Sequence, residues 1–259
     1  MKSIFAKKVT ARADKRLIGE VAKRLDAPSR RLFLKSSMSL GSLALLSGCD
    51  TSTEEGIEHM LGSISRFNDR VQWALFNPDR LAQTYPDSMI QKPFPFNAYY
   101  GMDEVRQVDG NTWKLEVSGL VSDKRSWTLT DFSQMPQFAA TTRHICVEGW
   151  SAIGKWGGVP LKTFLEKVGA DTTAKYVGFK CADDYYTSID MPTALHPQTL
   201  MTFSFAGQTL PRPFGYPMKV RIPTKLGYKN PKHVMAMFVT NTNPGGYWED
   251  QGYNWFGGS

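Results

Sequence analysis

Apolar and polar positions divide the chain into alternating, helical-period and proline-broken stretches. Ile57, Met60, Leu61 and Ile64 fall at i, i+3, i+4 and i+7, which predicts one short helix between Thr51 and about Pro93. Pro93 to Tyr100 (Pro-Phe-Pro-Phe-Asn-Ala-Tyr-Tyr) reads as extended, because proline drives the preceding residue out of helical backbone. Trp113 to Gly119 alternates with period two, a half-buried strand closed by a glycine turn; Ser126 to Leu129 repeats the style, and Thr130-Asp131-Phe132 opens a short helix. Ala139 to Val147 is an apolar segment that delivers Cys146. In Pro160 to Gly169 the apolar residues 161, 164, 165 and 168 keep helical spacing between an initial proline and a terminal glycine. Tyr176 to Cys181 alternates again, with Val177, Phe179 and Cys181 on one face. Met218, Val220 and Ile222 alternate with Lys219 and Arg221, so one face of that strand is apolar and the other basic. His233 to Thr240 is a last apolar strand before a Gly/Trp/Tyr-rich tail, Asn243 to Ser259. Many alternating strands with few helices predict a β-rich α+β fold.

With 259 residues and 41% hydrophobic content, the chain can bury a sizeable core and suits one catalytic domain better than two. The net charge of +7 misleads about nucleic acid. Residues 1–48 hold eleven Lys/Arg and three Asp/Glu, whereas from Cys49 onward twenty basic residues meet twenty-one acidic ones. The basic excess belongs to the leader, and no nucleic-acid surface is implied beyond it.

That leader carries Ser29-Arg30-Arg31-Leu32-Phe33-Leu34-Lys35, which matches a twin-arginine export signal, and a run from Ser39 to Gly48 too short to span a membrane. Leu46-Ser47-Gly48-Cys49 resembles a bacterial lipobox, which makes 1–48 a signal peptide and Cys49 the lipidated first residue of the mature protein. Diacylation supplies the two chains that stable anchoring needs. By lipoprotein sorting rules Asp50 favours the periplasmic face of the inner membrane. The alternative is a free or buried cysteine near an ordinary cleavage site. Twin-arginine export takes folded cargo and so suits a protein that acquires a bulky cofactor before export. Residues 49–93 are expected to form an arm wrapping a main domain at 94–259, which shows no repeat, low-complexity segment or transmembrane span.

The chemistry concentrates in Arg143-His144-Ile145-Cys146-Val147-Glu148-Gly149-Trp150-Ser151, followed by Trp156-Gly157-Gly158-Val159-Pro160-Leu161. Cysteines occur only at 49, 146 and 181, without Cys-x-x-Cys, and the four histidines form no His-x-x-x-His, so the pattern is not zinc-like. Cys146 reads as a metal ligand, since a soft thiolate suits a soft or high-valent metal. A cation at Arg143 or His144 would favour the thiolate over a thiol of pKa about 8.5. The glycines would let the sulfur approach a bulky ligand. A Cys146–Cys181 disulfide would exclude this reading.

Arg143-x-x-Cys146-Val147-Glu148-Gly149-Trp150-Ser151 with Trp156-x-Gly158-Val159-Pro160-Leu161 resembles the core of the sulfite-oxidase-fold molybdenum enzymes, in the branch of the periplasmic methionine-sulfoxide reductase catalytic subunit. The likeness runs, more thinly, from about Phe94 to near the C-terminus. It implies a sulfite-oxidase-type molybdopterin-binding domain in which Cys146 binds molybdenum that also carries oxo groups and the dithiolene of one molybdopterin. By the same resemblance Arg143, Asn97, Tyr99 and Tyr100 serve the pterin pocket. Lys219 stands where the branch has an arginine, and Asn230-Pro231-Lys232 where it has Gly-Ile-Lys. Phe214 replaces an asparagine and is left out. Cys181 replaces a cofactor-contacting threonine, and it is either pocket-lining or buried and inert. The basic face of Lys219, Lys225, Lys229 and Lys232 is the candidate phosphate site, or else a solvated strand edge. Tyr185, Tyr186, Asp184 and His144 are the substrate-side candidates, although Asp183 to Ser188 also reads as a solvated turn.

The activity implied is two-electron oxygen-atom transfer, as reduction of an S-oxide or N-oxide such as methionine sulfoxide, free or protein-bound; sulfite-type oxidation is the nearest rival. No motif for a second redox centre is present, so a membrane cytochrome b or quinol-linked subunit is the expected electron partner. The absence of Cys-x-x-Cys-His and of length for an immunoglobulin-like dimerisation domain leads to the expectation of a monomer. A non-catalytic β-sandwich lipoprotein that binds a partner or polyanion is the reading from another class.

Overall fold

A computed structural model describes residues 54–77 and 79–259. The leader and Cys49 lie outside the described residues. The chain divides into a unit ending at Leu61, described only as the helical residues 54–61, and a compact unit from Gly62 to Ser259. Helix α1, Glu54–Leu75, is longer than the four-residue signal predicted.

Two five-stranded sheets form the compact unit. The first has the order β2-β1-β10-β5-β6, where β1 is Lys114–Gly119, β2 Trp127–Thr128, β5 Tyr176–Cys181, β6 Tyr186–Asp190 and β10 Val234–Thr240. Only β1 and β10 run parallel in it, with Val117 opposite Met237. The second runs β3-β4-β7-β8, with β9 also paired to β7; these are Phe138–Ile145, Ser151–Pro160, Leu200–Phe205, Gln208–Thr209 and Lys219–Arg221.

Alternating positions from both sheets meet in one core: Leu115, Val117, Val177, Phe179, Met237 and Val239 from the first, Val159, Met201 and Val220 from the second. Helix α2, Leu129–Ser133, and helix α3, Leu161–Lys167, add Phe132, Phe164 and Leu165. Thr128 caps α2, accepting from the Asp131 N–H while Asp131 accepts from the Thr128 N–H. Pro160 precedes α3, and Gly169 beyond it adopts φ +60, so the proline and glycine signals mark its ends.

Several elements escaped the pattern. Strand β4 carries Gly154, Gly157 and Gly158, which blur alternation; Met201 and Thr202 of β7 are both buried, so no polar face interrupts it. The glycine pair lies far along β4 rather than beside the thiol. A Cβ on Gly158 would come 1.9 Å from the Met201 carbonyl oxygen, so the pair serves the β4–β7 contact and its register shift.

Residues 80–91 run beside the second sheet. Tyr85 N–H donates to the Thr141 carbonyl, Gln91 N–H to the Ile153 carbonyl, and Ala82 exchanges two hydrogen bonds with the Gln198 side chain.

Candidate active site

Strand β3 ends at Ile145, and the chain turns back into β4 through Cys146 to Trp150. Cys146 N–H donates to the Trp150 carbonyl (2.9 Å), and Gly149 sits at φ +91, where a side chain would be strained. This turn holds Cys146, only 4% exposed, at the wall of a cavity of about 280 Å³. Asn97, on the extended Pro-Phe segment, donates from Nδ2 to the Cys146 sulfur at 3.2 Å. The Glu148 carboxylate is 3.5 Å from that sulfur and accepts from Trp150 Nε1 at 2.9 Å. Burial, followed by the nearby Glu148 charge, pushes the Cys146 thiol up. Cys146 and Cys181 are both free thiols, as the metal reading requires.

The expected cation beside the sulfur is not there. Arg143, one strand residue out of phase with His144, is exposed, lies over the Tyr85 ring and lines a separate cavity with Arg80 and Ile145. His144 is buried between Phe94 and Trp150, and burial with the neighbouring Arg221 and Lys219 charges holds its imidazole neutral. A bound metal ion would itself supply the charge that favours the thiolate.

Around the cavity stand Asn97, Tyr99, Tyr100, Tyr185, Asn230 and Lys232, all anticipated from sequence. Tyr99 and Tyr100 donate to Asp183, to its carbonyl and carboxylate respectively, and Tyr185 donates to the Tyr228 carbonyl. Burial first, then nearby acids, raises the Tyr99 pKa to about 12 and moves Tyr100 and Tyr185 upward too, so all three remain hydroxyls at neutral pH. Tyr186 falls on the other face of β6 and donates to Asp250, while Asp184 is an exposed turn residue at φ +63. Neither lines the cavity; the acidic-aromatic run is partly a turn and partly a wall.

All three residues of β9 are buried, which removes the solvated-edge alternative for Lys219. Val220 enters the core and Lys219 and Arg221 point to the opposite face, near Trp156. Arg221 donates to Asn230 Oδ1 (2.9 Å) and the Arg143 carbonyl (2.7 Å), Lys219 to the Asn230 carbonyl (3.4 Å), and Lys232 to the Pro213 carbonyl (3.0 Å). Among the described residues none of the three cations forms an ion pair. Burial lowers all three, Lys232 to about 8 and Arg221 to about 9. Clustered buried cations without carboxylate partners are costly by themselves and are answered by a bound anion such as a phosphate. Lys225 and Lys229 are different, for they pair with Asp190 and Glu249. Cys181 belongs to the main core and does not line the cavity, so it is the buried rather than the pocket-lining cysteine.

Sequence reasoning missed Arg221 as a site residue, although its place on the basic face beside Lys219 was the available signal. It also missed Tyr228, Trp248 and Tyr253, which complete the aromatic wall from late in the chain. Nothing local marks them beyond the aromatic richness of the tail.

A β-rich α+β domain that sets a buried thiol beside an aromatic cavity, close to clustered buried cations, is that of the sulfite-oxidase-type molybdopterin-dependent oxidoreductases. The comparisons agree: residues 102–248 match the oxidoreductase molybdopterin binding domain, and the chain belongs to that family. The cofactor implied is therefore molybdenum–molybdopterin, and the buried cations and free thiol fit it. An Azospira oryzae protein, provisionally named protein-methionine-sulfoxide reductase subunit YedZ1, is 66% identical over 93% of this chain and 92% of its own length. The protein-methionine-sulfoxide reductase catalytic subunits MsrP of Ralstonia nicotianae and Burkholderia mallei are each 29% identical, over 65% and 56% of this chain. The chain spans 60% and 49% of those two proteins. The sulfane dehydrogenase SoxCD structure from Paracoccus pantotrophus shares the fold at TM-score 0.50 and 19% identity, covering 53% of this chain and 40% of that one.

Proposed function

We propose that this protein is a periplasmic reductase of methionine sulfoxide, tethered to the inner membrane through Cys49 after twin-arginine export. The observation that carries the proposal is the Cys146 thiol beside an aromatic-lined cavity, with Asn97 donating to its sulfur. Names borne by the relatives support the substrate class.

Cys146 would ligate a mononuclear molybdenum, and Lys219, Arg221 and Lys232 would hold the phosphate of a single molybdopterin, with Asn97, Tyr99, Tyr100 and Asn230 beside it. When bound, this group supplies two-electron oxygen-atom transfer. Reduction of a sulfoxide consumes two electrons and two protons and releases a thioether and water. Asn97 orients and hydrogen-bonds the Cys146 sulfur. Tyr99, Tyr185 and Trp248 give the cavity an aromatic lining that suits a thioether, and the hydroxyls of Tyr99, Tyr100 and Tyr185 stay engaged to Asp183 and Tyr228 rather than ionising. Electrons would come from a membrane cytochrome b or quinol-linked subunit to a monomeric catalytic domain.

The test is turnover by exported, molybdenum-loaded protein with a reduced viologen dye as donor. Methionine sulfoxide should be consumed; in a parallel assay with an oxidised dye as electron acceptor, sulfite should not be oxidised; and Cys146→Ser should fall to background with loss of bound molybdenum. Sulfite oxidation without sulfoxide reduction would establish the rival reaction. Folded protein that takes up neither molybdenum nor pterin would favour the binding lipoprotein.

A further inference from the structure

Helix α1 is amphipathic in the reverse of the usual sense. Within the compact unit it turns Gly62, Ser65, Asp69 and Gln72 toward the body of the protein, and Phe76 just beyond its end follows them. Asp69 accepts from the Phe256 N–H (2.7 Å), Gln72 from the Gly258 N–H (3.2 Å), and Phe76 meets the Phe256 ring edge-on at 5.5 Å. The largely polar face is thus the docked one. Ile64, Phe67, Val71 and Leu75 recur at i, i+3, i+7 and i+11, forming a stripe on another face, and they are 50%, 64%, 40% and 79% exposed. A surface helix ordinarily buries such a stripe, and four large side chains in line on the outside mark an interaction face.

We propose that this stripe lies in the surface of a lipid bilayer, with α1 as an interfacial helix that sets the orientation of the cavity above the membrane. The choice of a bilayer over other occupants rests on the tethering reading of Cys49. Four residues of chain separate Cys49 from Glu54, so the five Cα–Cα steps span at most about 18 Å. A lipidated Cys49 therefore keeps the start of α1 within that distance of the lipid. Arg66 and Arg70 are exposed along one side of the stripe, at the edge of a cavity shared with Trp73, and from there flexible guanidinium groups would reach phosphate headgroups while their stems stay against apolar surface. Asp69, the acid within the stripe's span, is turned toward Phe256 instead.

The experiment uses full-length, molybdenum-loaded protein bound to vesicles of phosphatidylethanolamine and phosphatidylglycerol with brominated acyl chains. An environment-sensitive fluorophore is placed at Phe67→Cys or, as a control, at Lys162→Cys on α3; native Cys146 and Cys181 are buried. Quenching at position 67 should exceed that at 162 at least threefold. Adding Ile64→Ser, Val71→Ser and Leu75→Ser should abolish the difference without changing viologen-driven turnover. The mass of the N-terminal peptide reports acylation separately, so absence of the lipid and absence of helix insertion are read independently. Equal quenching at 67 and 162 would overturn the proposal. So would a label at 67 that responds to protein dilution and not to lipid, which assigns the stripe to a second copy, or only to added membrane subunit, which assigns it to that partner.

Discussion

The Cys146 sulfur has one side-chain donor that no backbone rule anticipates, the Asn97 amide at 3.2 Å, beside the Glu148 carboxylate at 3.5 Å. A hydrogen bond to an ionised group contributes about 1.5–3 kcal/mol. Asn97→Ala in molybdenum-loaded protein should therefore lower turnover roughly tenfold or more with metal content retained, as elemental analysis beside the viologen assay would check. Loss of metal instead would make Asn97 a binding rather than an orienting residue. The motif around Cys146 was readable because ligand chemistry and resemblance both concentrate in nine consecutive residues. Arg143 belongs to that string yet faces the other cavity, because period-two backbone sends neighbouring side chains to opposite faces. Spacing along a motif does not say which face of its strand lines the site.

At the level of elements, glycines and caps do separable work. Gly158→Ala would force a Cβ to 1.9 Å from backbone oxygen on β7, and backbone cannot swing aside as a side chain can. Gly149 meets nothing within 4 Å, so Gly149→Ala carries only the left-handed backbone penalty of about 1–2 kcal/mol. Urea unfolding should show the first variant losing soluble folded protein or several kcal/mol, and the second remaining folded. Thr128→Ala removes the N-cap of α2 and should cost about 1 kcal/mol in the same measurement. Helix α3 and strands β1, β5 and β10 were legible because their burial follows the period of their backbone. Strands β4 and β7 were not, since glycines or burial on both faces erase that period.

The fold gathers Lys219, Arg221 and Lys232 where, among the described residues, none of them forms an ion pair, and this makes stability depend on pH. Lys232 is lowered from 10.5 to about 8, chiefly by burial. Between about pH 8 and 10.5 the unfolded chain binds the proton that the folded one releases, so folded stability rises with pH across that window. Below it, the burial penalty of the charged group is fully present. Melting temperatures of cofactor-free protein should therefore rise from pH 8 toward 10, less steeply in Lys232→Met. Loading with molybdopterin should flatten the slope, because the phosphate favours the charged lysine; an unchanged slope would remove the cations from phosphate binding. The sequence by itself determined the twin-arginine-like and lipobox-like motifs, the β-rich class, the candidate ligand cysteine and the basic strand, all properties of local pattern and residue chemistry. Only the tertiary structure decided which cations stay unpaired, which aromatics close the cavity from the far end of the chain, and that α1 keeps its apolar stripe outside. Those depend on which faces meet across long sequence separations, and periodicity within one element carries no information about its partner.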